Sequence, residues 1–315
     1  MVHKYGVKRV ILTNIWIMGV AYFFIVRTES SGIFLICNVA IGWATSAYHI
    51  SINAQSFNAM ERVYGLTIAR LHGMWALGTL TTAIISGLIV DFISISWHIG
   101  TLAVLVTLAL SAMIIRLTPV LMKPNEDEEE HLPLRTLITS FRVDWMVSGG
   151  LLCAVFLEFA TGDWSAIFAK ERIGVSSGLA ALPYILFMIA MIIGRLNAGR
   201  IAIRFPVDQT IRLFALIGGV GFLTFLTIAV QIPAEYKAIA FTATCLAFTC
   251  AGMGSSLMAP TFYTAGNQRS SLPSAVVVGQ MGVVNMIAVF ILKAVVAWTA
   301  QFTGSLAIAL TIPAL

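Results

Sequence analysis

Glu158 is the residue of this sequence best placed for chemistry, because its carboxyl group lies about halfway along an otherwise apolar stretch, residues 146–168. Helical spacing puts a small and polar stripe on the same face, which suits a cavity or a close helix contact; its members are Ala154, Thr161, Gly162 and Ser165. A carboxyl group held away from water can exchange protons near neutral pH. We expect Glu158 either to carry a proton or to be a structural, protonated group that hydrogen-bonds a neighbouring helix.

His49 and Asn53 form a second polar group. They are four residues apart, so one helix face would carry both, with Thr45 and Ser46 nearby. Imidazole titrates near physiological pH and can shuttle protons or bind a polar substrate. The alternative is a histidine that only fills space between helices.

Four further positions carry polar side chains inside or beside apolar stretches. Asp163, followed by Trp164, is expected near the outer end of its helix, as an interfacial anchor or an outer gate. Gln280 and Asn285 are expected either to contact a substrate or to hydrogen-bond between helices. His72 is expected to pack or to contribute to a gate.

Composition identifies the solvent of this chain as lipid. Of the 315 residues 59% are hydrophobic and only 10% charged, and mean hydropathy is +0.92. A soluble domain carries about 25% charged residues. The charged residues of this chain are too few to cover a surface in water. The net charge of +5 does not indicate nucleic-acid binding, because the basic residues punctuate the ends of apolar runs. The four cysteines lie inside apolar runs and are interpreted as packing residues.

Several sequence patterns of enzymes and pumps are missing. The sequence has no phosphate-binding Gly-Lys-Ser loop, no metal-ligand cluster and no nucleophile motif. We therefore expect a protein that is not an enzyme and has no cofactor. Any energy for its function would come from an ion gradient.

The apolar runs predict an all-α integral membrane protein, because a spanning helix needs about 20 mostly apolar residues and these runs lack the alternation of a barrel. Ten candidate spans can be counted, at 10–26, 32–54, 71–90, 97–115, 146–168, 179–199, 213–230, 238–259, 274–296 and 299–315. When the connections between spans are assigned alternately to the two sides of the membrane, the side of the N-terminus receives fourteen lysines and arginines and the opposite side five. The positive-inside rule makes the first side cytoplasmic. We expect a multi-pass, monomeric protein of the inner (plasma) membrane.

A polar segment divides the spans. Residues 119–145 include an acidic run and are interpreted as a cytoplasmic linker between an N-terminal half at 1–118, with four spans, and a C-terminal half at 146–315, with six. The halves share a basic motif before a span: Lys4-Tyr5-Gly6-Val7 resembles Arg204-Phe205-Pro206-Val207. Repeated halves are typical of transporters.

The sequence resembles the major facilitator superfamily, and within it bacterial permeases of the fucose–proton symporter group. The motifs that carry this resemblance are HISINAQ from His49, ER at Glu61, RLHG from Arg70, EFATGDWS from Glu158, GRLNAGRIAIRF from Gly194 and GMGSSLMAP from Gly252. The resemblance implies a bundle of six plus six helices, of which the first two are absent here. It also implies basic cytoplasmic loops that hold an inner gate; the matching residues are Lys4, Gly6, Lys8, Arg9, Glu61, Arg195, Arg200 and Arg204.

From this resemblance we expect secondary active transport of a small solute, sugar-like or another polar metabolite, coupled to protons by alternating access. The alternatives are a multidrug-type efflux permease and a non-transporting fragment or scaffold. One departure affects the site: such permeases tend to carry an acidic residue where this chain has His49. A proton-carrying carboxylate therefore cannot be transferred to that position.

Overall fold

A computed structural model describes residues 7–62, 68–116, 141–270 and 274–314 of the protein, and within these ranges it contains helices and no β-strand. The first four long helices are α1 (Val7–Ile25), α2 (Ser31–Arg62), α3 (Ile68–Ile89) and α4 (Ile95–Arg116). Each of these helices covers one of the first four predicted spans. The apolar runs therefore fold as helices, the conformation in which a chain satisfies its own backbone in lipid.

Five long helices follow the acidic segment. They are α5 (Trp145–Phe168), α6 (Leu182–Arg204), α7 (Val207–Gln231), α8 (Lys237–Gln268) and α9 (Ser274–Thr303). A π-helical turn, Ala169–Ile173, extends α5, and another, Ile217–Gly221, interrupts α7. Within the described ranges, eight helical segments are long and apolar enough to span a membrane, and a shorter apolar one covers Met74–Ile89. The predicted all-α membrane fold is confirmed.

The tenth predicted span, 299–315, has a different local structure. Its first residues continue α9 to Thr303, and Gly304 then takes a left-handed conformation with φ of +64°. A short helix, Leu306–Ala309, follows and is capped by the Ser305 side chain. The boundary predicted between the ninth and tenth spans at 296–299 is therefore wrong, because no glycine or proline interrupts the helix before Gly304.

The described residues fall into two compact units. The first unit lies within residues 1–72 and 89–131, and the second within 73–88 and 132–315. In the first unit α1 and α4 run antiparallel: Lys8 donates from Nζ to the carbonyl of Ile115 at 2.9 Å, and Gly19 lies against Thr107. This register places the buried Asn14 opposite the buried Ser111.

In the second unit α8 packs against α5, α6 and α7, and its glycines make these close approaches possible. Gly252 lies against the backbone of Phe187 on α6, and Gly254 against the backbone of Gly218 on α7. One turn further along, Ser256 lies against Gly194 of α6. The GMGSS segment is therefore the point where α8 crosses two helices, and small residues there allow close packing.

We expect Gly254→Ala to lower the stability of the protein by about 1–3 kcal/mol, the usual cost of overpacking. A methyl group at this position would overlap the backbone of Gly218, which cannot move aside as a side chain can. Gly282→Ala on α9 is the matched control, because nothing lies within 4 Å of its added methyl group. The measurement is the thermal unfolding midpoint of both variants in detergent. Equal midpoints for the two variants would contradict this packing.

Candidate functional site

The start of α5 is fixed by a charged cap. Asp144 is the N-cap residue, and its carboxylate accepts a hydrogen bond from the backbone N–H of Val147 at 3.2 Å. Arg269, next to the end of α8, donates from Nε to the same carboxylate at 2.6 Å. The Val147 N–H, and after it the Arg269 guanidinium, lower the pKa of Asp144. These contacts join the ends of two helices that line the candidate site.

Glu158 is paired with an arginine inside the span. Its Oε2 lies 3.4 Å from Nη2 of Arg195 on α6, and the two side chains are 23% and 21% exposed. The basic motif predicts Arg195 in a cytoplasmic loop, and this prediction is wrong: α6 continues to Arg204, and Arg195 lies within the candidate span Ser177–Ala198. A charge at the centre of a spanning helix costs about 2.5–3.5 kcal/mol, and the opposite charge of a partner offsets part of that cost.

Two tyrosines lie near this pair. Tyr184 on α6 packs over Gly162, one turn from Glu158, and stacks on Phe187 with ring centroids 6.2 Å apart. Tyr263 on α8 is half-buried. The charge of Glu158 acts electrostatically on both phenols. Gly162 therefore allows the Tyr184 ring to lie against α5 one turn from the carboxylate.

Asp163 forms a second ion pair from the same helix. Its Oδ2 lies 2.6 Å from Nζ of Lys293 on α9, and that ammonium group is 4.9 Å from the ring centroid of Phe159. Asp163, which the sequence predicts as an interfacial anchor or an outer gate, is exposed and paired. Trp164 is partly buried and packs against the core cluster that includes Phe168. Helix α5 thus carries two carboxylates, each neutralised by a base on a different helix.

The polar residues of α9 have different environments. Asn285 is 1% exposed, and its Nδ2 donates to the carbonyl of Met281 at 2.9 Å, while its Oδ1 has no hydrogen-bond partner among the described residues. Gln280 is half-buried and has a polar contact of its own. Asn285 is therefore a packed group with one spare acceptor.

The other predicted positions are distributed between the two units. His49 is exposed on α2 in the first unit, where it has a polar or electrostatic contact. Lys4 and Gly6 lie outside the described residues, as do the side chains of Asn53, Glu61 and His72. Lys8 donates to the Ile115 carbonyl, as described above, and Arg9 is exposed. Arg200 donates to Oδ1 of Asn197 at 3.3 Å, and Arg204 is exposed at the end of α6.

Glu158 is recognisable in the sequence as a candidate, whereas its partner Arg195 is not predicted there. The signal was present, since the predicted span 179–199 already contained Arg195. Lys293 likewise lies inside the predicted span 274–296, although it was counted with the outer charges. A basic residue inside an apolar run, with an acidic residue inside another, is the pattern that indicates an intramembrane pair.

Comparison with known proteins gives three findings. The family model described as the Major Facilitator Superfamily matches residues 1–297. An uncharacterised MFS-type transporter of Yersinia pestis is 29% identical over 167 residues, which are 51% of this chain and 40% of that protein. The chain thus matches about two-fifths of the length of that relative.

The third finding concerns the fold. The crystal structure of the fucose–proton symporter FucP of E. coli superposes with a TM-score of 0.56. The alignment covers 99% of this chain and 82% of that one, at 17% identity. At this identity the similarity establishes the helical fold alone.

Proposed function

The chain belongs to the major facilitator superfamily, and we propose on this basis that it is a secondary active transporter. It moves a small polar solute across the inner membrane together with protons, by alternating access. Coupling to a proton gradient needs a group inside the membrane that gains and loses a proton during the cycle. The observation that supports the proposal is the ion pair between Glu158 and Arg195, which holds an ionisable carboxyl group within the span.

The pair has two electrostatic states that a transport cycle can use. With Glu158 ionised, carboxylate and guanidinium neutralise each other and hold α5 to α6. With Glu158 protonated, the attraction is lost and the guanidinium is released for another partner. A ligand or a proton shifts a conformational equilibrium when it binds two arrangements of the protein with different affinities, and the two states of the pair make different contacts.

The other polar residues complete the proposed pathway. Within the second unit, Asp163, Gln280 and Asn285 are the proposed contacts of solute and protons on α5 and α9. Within the first unit, His49 and Asn53 on α2 are the proposed contacts. His49 is the second candidate for the proton-carrying group, because imidazole changes charge between pH 5 and 8. Each unit has its own proposed set of gate residues: Lys4, Gly6, Lys8, Arg9 and Glu61 in the first unit, and Arg200 and Arg204 in the second. Arg195 belongs to the ion pair.

The proposal is tested with the purified protein in proteoliposomes. An inward proton gradient is imposed, and uptake is followed for a panel of labelled sugars, sugar acids, amino acids and short carboxylates. We expect at least one solute to accumulate above its external concentration and to stop accumulating when a protonophore collapses the gradient. Equal uptake by protein-containing and protein-free vesicles for the whole panel would contradict transport.

The orientation predicted from the basic residues has its own test. Single cysteines at Ser30 and Ser176, in a cysteine-free background, should react with an impermeant maleimide added outside, because both serines lie between helices on the side with few basic residues. A cysteine at Gln268, at the end of α8, should react only after permeabilisation. External labelling at Gln268 without labelling at Ser30 would reverse the orientation.

A further inference from the structure

The guanidinium of Arg195 makes little use of its donors. It has five N–H groups in a planar fork, and Glu158 receives one contact, from Nη2 at 3.4 Å. The Nε atom is buried and has no hydrogen-bond partner among the described residues. Buried donors without partners cost free energy. A planar oxyanion that accepts two parallel hydrogen bonds is the ligand that matches this fork.

A serine on α8 lies at the same level as the pair. Gly150 of α5 faces Phe262 of α8, and the two helices run antiparallel. Leu157, the neighbour of Glu158, lies seven residues after Gly150 on α5, and Ser255 lies seven residues before Phe262 on α8. Because the helices are antiparallel, Leu157 and Ser255 are at the same level. Ser255 also shares a helix face with Ala259 and Phe262, which pack against α5.

The hydroxyl group of Ser255 is buried and makes no hydrogen bond to the described residues. The residue is 2% exposed. Its neighbour Ser256 differs, because its hydroxyl donates to the carbonyl of Met253 at 2.6 Å. Near Glu158, two sets of polar atoms therefore have no hydrogen-bond partner among the described residues, one on α6 and one on α8.

We propose that Arg195 and Ser255 bind the carboxylate group of an anionic solute, and that Glu158 takes the place of this carboxylate when no solute is bound. The inference rests on the proposed transport function and names the substrate class for the same site. A sugar acid or a short hydroxy acid has the required group, and Tyr184 and Tyr263 offer it an apolar wall with polar tips.

The exchange conserves charge. In the resting site the Glu158 carboxylate and the Arg195 guanidinium sum to zero. A proton binds to Glu158 and forms the neutral acid, the guanidinium keeps its own proton, and the solute carboxylate replaces the Glu158 carboxylate beside it. The occupied site again sums to zero, so one proton moves with each monoanion and no net charge crosses the membrane.

The charged and titratable groups around the pair support this assignment. On the described faces of α5, α6 and α8, the groups near Glu158 are Arg195, Tyr184 and Tyr263. The other acid of α5, Asp163, is already neutralised by Lys293. Lowering the pH should therefore strengthen solute binding through Glu158, because protonation removes the internal competitor for Arg195.

Binding to the purified protein tests the inference without requiring transport. The probes are gluconate and lactate, each compared with an uncharged analogue, glucose and glycerol, and the readout is the shift of the thermal unfolding midpoint at pH 5.5 and 7.5. We expect at least one carboxylate to stabilise the wild type more than its analogue, and more strongly at pH 5.5. Glu158→Gln should bind that carboxylate about tenfold more tightly at pH 7.5, with no pH dependence, since one charge-assisted hydrogen bond is worth roughly this factor.

Substitutions of the binding groups distinguish this site from a general charge effect. Arg195→Lys keeps the charge but loses the fork, and Ser255→Ala loses one donor, so both should weaken carboxylate binding in the Glu158→Gln background. Arg212→Lys is the matched control, because Arg212 is exposed on α7. Equal stabilisation of Glu158→Gln by each carboxylate and its analogue overturns the inference. Carboxylate-selective binding without transport of any solute leaves this site standing and overturns the proposed function.

Discussion

Glu158→Gln is expected to abolish proton-driven accumulation of solute while leaving solute exchange across the membrane intact. Glutamine keeps the shape and the hydrogen-bonding capacity of the side chain but cannot ionise. The altered site therefore resembles the protonated state permanently, and the protein can change its access without binding or releasing a proton. The measurement is accumulation under a pH gradient, together with counterflow of labelled solute at equal pH, in proteoliposomes.

His49→Asn is the matched comparison, because His49 is the other candidate proton carrier. If Glu158 carries the proton, the His49→Asn variant accumulates solute and the Glu158→Gln variant does not. The reverse pattern would transfer the role to His49. Accumulation at the wild-type level in Glu158→Gln would remove this residue from the proton path and leave it as the structural partner of Arg195.

Arg195→Met is expected to destabilise the protein by about 2–3 kcal/mol, because it leaves a carboxylate without its partner inside the membrane. This cost is smaller than the roughly 3–5 kcal/mol of breaking a fully buried pair, since both side chains retain about one-fifth of their exposure. The double variant Glu158→Gln/Arg195→Met should recover most of this loss, because it removes both charges together. Unfolding of all four proteins in detergent gives the coupling free energy between the two residues.

Arg212→Met controls for the loss of an arginine as such and should change the unfolding midpoint little, as its side chain is exposed. If the double variant were as unstable as the sum of the two single variants, Glu158 and Arg195 would not interact. In that case both the proposed switch and the proposed carboxylate site would lose their structural basis.

The helices and the candidate residue Glu158 were predictable from sequence, because each depends on local composition. Lipid leaves few conformations open to an apolar run of about 20 residues, so the runs at 97–115 and 146–168 become α4 and α5 within a few residues. Glu158 was recognisable for the same reason, since a carboxyl group in such a run is costly wherever its neighbours lie.

The partners of the two carboxylates were not predictable, because they depend on the register between helices. Arg195 and Lys293 are 37 and 130 positions along the chain from Glu158 and Asp163, and no local pattern joins them. The same is true of Gly252 and Gly254, whose small size is used by two different neighbours. The end of α9 also escaped prediction, since the helix passes through Thr299 and ends only at Thr303, before Gly304.

The most direct test of the central claim measures the proton itself. Proteoliposomes are loaded with the pH indicator pyranine, and a solute found in the uptake screen is added outside at equal pH on both sides. We predict that the lumen of wild-type vesicles acidifies in step with uptake, with about one proton for each solute molecule, and that Glu158→Gln vesicles exchange solute without any acidification. Wild-type uptake of solute with no change in lumenal pH would contradict proton coupling through Glu158.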